Sequence, residues 1–378
     1  MQPISTKEAA IAFLYLLSLL LSTLHLYHNP IYAMDAVQYM GNALLMEDTN
    51  IVRVHERVYA ELRRGVPANA LRGLLGGDAD SPTDQNESRR ARARSPLIFA
   101  EFLPLFAIRP LYNQSLWLLS KTGLGLLRSA ILISSVSYFS IGTLLLVWVR
   151  QYAGMMFGAV LSFLLMISPP MAEIGRDLTS DGLATLVAFA ALFLIFEKRF
   201  LFPGIVLLLV SIFFRTDFVV LAGPALLACW REKRMDLWEA GILLLVALAS
   251  VLAINHFAGD YGIKMLYFRN FVGVPITPAE TAVQFSIHDY FLAFRSGITL
   301  TVNSFFLPFL LLGTIGLVST RMRVLFGVTL AYVFLHFLVL PNWQERWVAL
   351  FYLCCGICAA TALKKARPEL GVNAAPPI

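Results

Sequence analysis

Residues 9–27, AAIAFLYLLSLLLSTLHLY, run straight into His28-Asn29-Pro30-Ile31-Tyr32-Ala33-Met34-Asp35-Ala36-Val37-Gln38-Tyr39, and this passage decides how the rest of the chain is read. The apolar run carries no Asp, Glu, Lys or Arg. Its length matches the about 20 residues of helix that cross a hydrocarbon core. Lys7 precedes it and no small-residue cleavage site follows it, so it reads as an uncleaved first span rather than a signal peptide. Asp35 then falls on the first loop, which puts a carboxylate at the membrane–water boundary.

Composition extends that reading to the whole chain. The 378 residues are 58% hydrophobic and 14% charged, with a mean hydropathy of +0.70. A soluble domain averages about a quarter charged. The expected class is therefore all-α, a polytopic transmembrane helical bundle in one integral membrane domain, 1–378. The net charge of +6 lies largely at helix ends, where it sets orientation; no nucleic-acid partner is expected from it. Cys229, Cys354, Cys355 and Cys358 all fall in apolar stretches. Cys355 and Cys358 have the spacing of a redox or metal pair, but without a His or a second pair they read as buried small hydrophobes.

Further spans are expected near 129–149, 152–168, 182–196, 237–257, 298–319, 324–340 and 347–363. Two shorter apolar runs, 201–214 and 218–230, are split by Arg215-Thr216-Asp217. Basic connections gather at one end: Arg150, Lys198-Arg199, Arg231 to Arg234, Arg321 to Arg323, and Lys364-Lys365 with Arg367. The positive-inside rule makes these cytoplasmic. The alternation closes if the two short runs form a hairpin with Arg215 and Asp217 at its far tip. That gives about ten membrane helices with both termini cytoplasmic. Residues 28–128 then form a long first outer loop and 258–297 a second. The polar stretch 76–94 has too few apolar residues to order itself and is expected to be a mobile loop. Its flanks, 35–64 and 96–119, look like interfacial helices on the outer leaflet, the latter broken by Pro104 and Pro110, with a re-entrant segment as the alternative for it.

Ionisable groups near a membrane are costly and usually functional or paired. Here they collect on the outer side: Asp35; Arg176, Asp177 and Asp181; Arg215 and Asp217; His256, Asp260, Lys264, Arg269, His288, Asp289 and Arg295; and Glu345 with Arg346. Such a set suits transfer from a phosphate-linked lipid. Arginine holds a leaving phosphate bidentately, and a carboxylate serves as general base. The carboxylates would also suit Mg²⁺ or Mn²⁺, although no metal signature is present and the metal is left open. Each residue has a plainer reading. Asp35 and Asp181 would cap helices starting at Ala36 and Gly182. Arg176 and Asp177 would pair with each other or with neighbours, and Arg215 with Asp217 at the hairpin tip. Arg346 and Arg109 would be interface anchors, and His25 and His336 would be satisfied by their own helices.

The arrangement resembles the GT-C superfamily of membrane glycosyltransferases, including its protein-O-mannosyltransferase-like and aminoarabinose-transferase-like groups. Three features carry the resemblance: Asp35 early in the first outer loop with Tyr39 at helical spacing, the segment Arg176-Asp177-Leu178-Thr179-Ser180-Asp181-Gly182 leading into a span, and Arg346 in Glu345-Arg346-Trp347 before a late span. The chain departs from the family in having one acid where many relatives have an Asp-Glu pair, and in lacking the C-terminal soluble domain of some members. The resemblance implies a polyprenyl-phosphate sugar donor, a lipid, glycan or protein acceptor, inversion at the anomeric carbon, and an active site on the outer face of a cell inner membrane or plasma membrane. Carried over, Asp35 is the base, Arg346 the donor-phosphate ligand with help from Arg176, and Asp177 or Asp181 orients the acceptor or a metal. Tyr39, Arg215, Asp217 and His288 are secondary candidates. The rival readings are a polytopic transporter, a lipid-linked glycan flippase or polymerase, and a structural membrane subunit. A transporter would be expected to carry its polar groups near the midplane and to show repeated halves.

Overall fold

The computed structural model describes residues 5–78, 80–281, 286–317 and 319–369, with side chains described outside 262–264 and 363–369. The side chains of Lys264, Lys364, Lys365 and Arg367, used in the sequence reading, lie outside the described residues. The described chain is all-helical; its one strand-like feature is an isolated parallel bridge between Ile31 and Asp177.

Helix α1, Thr6–His28, starts at a capping box in which Ser5 and Glu8 satisfy each other's backbone N–H groups. The first loop folds into α2 (Met34–Leu45), α3 (Ile51–Gly65), α4 (Ala68–Leu74), α5 (Thr83–Arg94), α6 (Pro96–Phe102), α7 (Pro104–Ala107) and α8 (Pro110–Leu119). Then follow α9 (Leu126–Met166), α10 (Pro169–Arg176) and α11 (Asp181–Leu192), which runs into a π-helical turn Phe193–Lys198. Helices α12 (Leu201–Phe214) and α13 (Val219–Arg231) flank a 3₁₀ turn, Thr216–Phe218. The remainder is α14 (Leu237–Phe257), α15 (Gly262–Phe271), α16 (Ile287–Val302), α17 (Phe306–Ile315), α18 (Thr320–Val339), a 3₁₀ turn Glu345–Trp347, and α19 (Ala349–Glu369).

Four of these helices, α1, α9, α14 and α18, are long and apolar enough to cross a membrane, and a fifth crossing results if α16 and α17, bent by 62°, act as one. Helix α9 is a special case. Its 41 residues would extend about 60 Å at 1.5 Å per residue, twice the roughly 30 Å of a hydrocarbon core. The chain solves this by folding back at Gly154, whose φ of 74° is open to glycine without strain. A Cβ on Gly158 would sit 3.0 Å from the Arg150 Cα, an approach that a straight helix cannot make. At the far end the Tyr138 hydroxyl donates to the Met166 carbonyl at 2.8 Å. The two arms are the runs expected at 129–149 and 152–168. Against them α1 buries Leu19 over Gly142, and the Tyr15 hydroxyl donates to the Gly142 carbonyl at 2.7 Å. Helix α19 is buried from Ala349 to Thr361, closing the bundle against α9, α17 and α18.

The first loop corrects two expectations. Residues 83–94 form α5 rather than a segment without order of its own, and Ser88 and Arg92 are buried. The cause is polar rather than apolar: Asp84 accepts from the Val274 N–H at 3.0 Å and the Ser88 hydroxyl donates to the Pro275 carbonyl at 3.0 Å. Composition at 76–94 cannot report such long-range partners. Helix α2 likewise is not a helix lying on a surface, because every residue from Ala36 to Leu44 is buried. It packs against α8, α3 and α7.

Candidate functional site

Two loops meet where α1 ends and α10 ends. The Ile31 N–H donates to the Arg176 carbonyl at 2.9 Å, and the Ser134 hydroxyl donates to the Asp177 carbonyl at 2.7 Å. This pins the Asp177 loop to α9 and to the passage leading into Asp35. From here a chain of ion pairs runs through the protein. Asp177 pairs with Arg346, and Arg346 Nε lies 3.1 Å from Asp181 Oδ2. Asp181 Oδ1 lies 2.9 Å from Arg215 Nη1, and Arg215 pairs in turn with Asp217. His336, in the last turn of α18, closes the series on Asp217 at 2.9 Å. The loop 177–181, the turn 215–217, the end of α18 and the turn at Arg346 are thereby tied together.

Arg215 is 3% exposed and Asp181 4%, so each would be strongly destabilised alone. Burial by itself would raise the Asp217 carboxyl, but the adjacent Arg215 guanidinium and His336 outweigh it and hold the carboxyl far below the usual range. Burial opposes charge on Arg215 too, and Asp217 and Asp181 reverse the effect, raising its affinity for the proton. Acids and bases alternate along this series and each residue has a partner, although Asp177 Oδ1 is buried without a hydrogen-bond partner among the described residues.

Asp35 sits in different surroundings. Helix α2 starts at Met34, so Asp35 lies inside the first turn and not at its cap, which is Ala33. Asp181 is also the first residue of α11 rather than its cap, and its Oδ2 accepts from the Thr179 hydroxyl at 3.0 Å. The Asp35 carboxylate keeps 24% side-chain exposure and meets Arg269 at 3.4 Å, a long contact. Burial pushes its carboxyl up, and the charges of Arg269, Arg346 and Arg109 together bring it below the usual value. A carboxyl held below its usual value is ionised at neutral pH.

The guanidinium groups around Asp35 are under-partnered. Arg109, the residue before α8, lies over the Tyr39 ring at 5.4 Å and forms no ion pair among the described residues. Burial lowers its proton affinity, and Asp181 and Asp35 only partly restore it. Arg269 lies over the Phe106 ring at 4.9 Å. Arg92 stacks on Phe102 at 4.2 Å, donates Nε to the Ser88 carbonyl at 3.2 Å, and buries Nη1 without a hydrogen-bond partner. Burial and the neighbouring Arg269 press it down to about 9. The Tyr39 and Tyr112 hydroxyls are also buried without a partner among the described residues. A recess with surplus cationic and hydroxyl donors suits an anionic ligand. A cavity of about 250 Å³ is lined by Asn270 and Phe271 of α15, which follow Arg269 in the chain, Ser296 and Gly297 of α16, and Pro341 and Asn342.

The structure thus joins Asp177, Asp181, Arg215, Asp217 and Arg346 directly, puts Asp35 in the field of Arg346, and sets Tyr39 under Arg109. It places two candidates elsewhere. The Arg176 guanidinium donates to the Asn29 carbonyl at 2.7 Å and braces the loop. His288 is exposed in the first turn of α16, and none of the ion pairs above includes it. Arg109 and His336, read from sequence as an anchor and a helix-satisfied residue, belong to the cluster. Arg92 lies in the stretch expected to be mobile; nothing in Arg90-Ala91-Arg92-Ala93-Arg94 singles out the buried arginine. No group of three His, Cys, Asp or Glu side chains converges for a metal among the described residues. The carboxylates face guanidinium groups instead, so Mg²⁺ or Mn²⁺ does not fit this donor set. Set against models of known families, characterised proteins and solved structures, the chain matches none.

Proposed function

We propose that the chain is a membrane glycosyltransferase that moves a sugar from a polyprenyl-phosphate donor to a lipid, glycan or protein acceptor. In this reading the molecule has the ten-helix topology inferred above, with the Asp35 recess on the outer face of a cell inner membrane or plasma membrane. The observation that carries it is a carboxylate, Asp35, set among arginines of which Arg109 and Arg92 have no carboxylate partner among the described residues.

Asp35 accepts the proton of the acceptor hydroxyl or amine. The acceptor attacks the anomeric carbon from the face opposite the phosphate, and the bond from that carbon to the phosphate oxygen breaks. The phosphate leaves with the electron pair, and the configuration inverts. The guanidinium groups that stabilise the departing charge are Arg109 and Arg269, with Arg346 as the ligand inferred from the resemblance, held in place by Asp177 and Asp181. Preorganised charge of this kind acts most strongly where it meets charge that develops during the reaction. Binding the phosphate also neutralises the charges that depress Asp35, so the base grows stronger once the donor is seated. The cavity lined by Asn270 and Phe271 gives the prenyl chain an apolar approach. Tyr39 contributes a buried hydroxyl, Arg215 and Asp217 support Asp181, and Arg176 braces the loop.

A transporter reading has one observation in its favour, the 62° break between α16 and α17. Supplying the purified protein with a panel of polyprenyl-phosphate sugars separates the two. The proposal expects donor loss and a product of inverted configuration. Sugar movement across a sealed vesicle without bond cleavage would favour the transporter.

A further inference from the structure

Away from this recess, α12 and α14 part to leave a groove of about 460 Å³. Phe202 and Ile205 form one wall, Trp238 and Ile242 the other, and Arg234 lies between them. The groove continues onto a lipid-ready surface: Ile242, Leu245 and Val246 of α14 are all exposed. Phe202 is 80% exposed and Trp238 64%, as suits side chains at a membrane interface.

Arg234 makes this more than an apolar cleft. Its Nη1 donates to the Ile195 carbonyl at 2.8 Å, and Glu232 stands 3.7 Å away. Its Nη2 is buried with no hydrogen-bond partner among the described residues. A guanidinium with an unmet donor is costly, and Arg234 keeps 17% side-chain exposure in the groove lining, where an acidic oxygen would meet its charge. The surrounding charge agrees. Lys198 and Arg199 lead into α12, and Arg231 and Lys233 precede Arg234. The carboxylate on the groove wall, Glu239, is turned to the Asp236 N–H at 2.8 Å, while Glu197 serves Trp148 at 3.1 Å and Arg321 at 3.4 Å.

We propose that this groove seats an anionic phospholipid, its phosphate on Arg234 and an acyl chain along the exposed face of α14. Basic pockets between membrane helices on the cytoplasmic side are suited to such headgroups, and the basic connections place this end there. The inference is independent of the proposed glycosyl transfer.

The test titrates the purified full chain in detergent with phosphatidylglycerol and with phosphatidylcholine, and counts bound lipid by native mass spectrometry. Wild type is expected to bind phosphatidylglycerol more tightly. R234Q should weaken that binding about fivefold, the ratio given by the about 1 kcal/mol that each basic residue contributes near anionic lipid. Phosphatidylcholine binding should be unchanged, R234K should restore the preference, and the exposed K7Q should behave as wild type. If R234Q does not fold, I242W decides the matter by filling the groove with Arg234 intact, and it should lose the bound lipid. Equal binding of the two lipids by wild type, or wild-type binding of phosphatidylglycerol by both R234Q and I242W, would overturn the proposal.

Discussion

The ion-pair series from Asp177 to His336 and the recess around Asp35 are built from the same residue types, near enough that Arg346 acts on Asp35, and they are opposite in electrostatic design. In the first, carboxylate and guanidinium alternate, and Asp181 lies between Arg346 and Arg215. In the second, Arg92 and Arg109 have no carboxylate at ion-pairing distance among the described residues, and Asp35 reaches Arg269 only at 3.4 Å. In the series each acid faces a guanidinium or an imidazole, so it reads chiefly as scaffold, with Arg346 the member proposed to reach the donor phosphate. A recess with surplus positive charge and one ionised acid is where binding and proton transfer have partners to act on.

That contrast breaks most visibly at Arg215. Replacing it with Ala strips the buried Asp181 of one of its two guanidinium partners, leaving Arg346, and leaves Asp217 with His336 alone; removing one member of a buried pair costs about 3–5 kcal/mol. Arg215→Ala is expected to lower the thermal unfolding midpoint sharply or to prevent accumulation of folded protein. A stable R215A protein would show that the series is not the scaffold. Arg109→Gln should behave in the reverse sense. It removes a half-buried cation that lacks an ion pair among the described residues, so the unfolding midpoint should hold or rise. Donor binding should weaken by about 1.5–3 kcal/mol, the value of a hydrogen bond to a charged group. A loss of stability matching that of R215A, with donor affinity unchanged, would erase the distinction between the two regions.

The smallest effect is confined to acid pH. Asp217 has its carboxyl lowered in the folded state, so its contribution is fully present above its ordinary value, near 3.8, and is lost as pH falls through the lower folded value. The unfolding midpoint of wild type should fall on acidification below about pH 4, and Asp217→Asn should flatten part of that fall. An unchanged acid limb in D217N would place the titrating group elsewhere.

Much of this was legible in the sequence, and the residues show where legibility stopped. The all-helical class followed from composition, and the break between the arms of α9 followed from the charge at Arg150. The tip Arg215-Thr216-Asp217 was visible as polar residues between two apolar runs and forms a 3₁₀ turn there. The acids and bases that cluster were almost all named from their position near span ends. Their partners were not. Arg215 pairs with Asp217, as its neighbour suggested, but also with Asp181, and Arg346 reaches both Asp177 and Asp181. Pairings over such separations are set by packing, which local periodicity does not encode. The same limit hid α5, whose order comes from contacts with residues nearly 200 positions later.

The central claim is tested most directly by Asp35→Asn, compared with wild type for donor binding, transfer and unfolding midpoint in the same nanodiscs. The account predicts a folded protein that binds the polyprenyl-phosphate sugar at least as well as wild type, since one negative charge has left a phosphate site. Its transfer should fall by about 10²–10⁴, the usual contribution of a general base. Transfer at the wild-type rate would contradict the account, leave Asp35 a structural acid, and move the search for the base to Asp177 and Asp181.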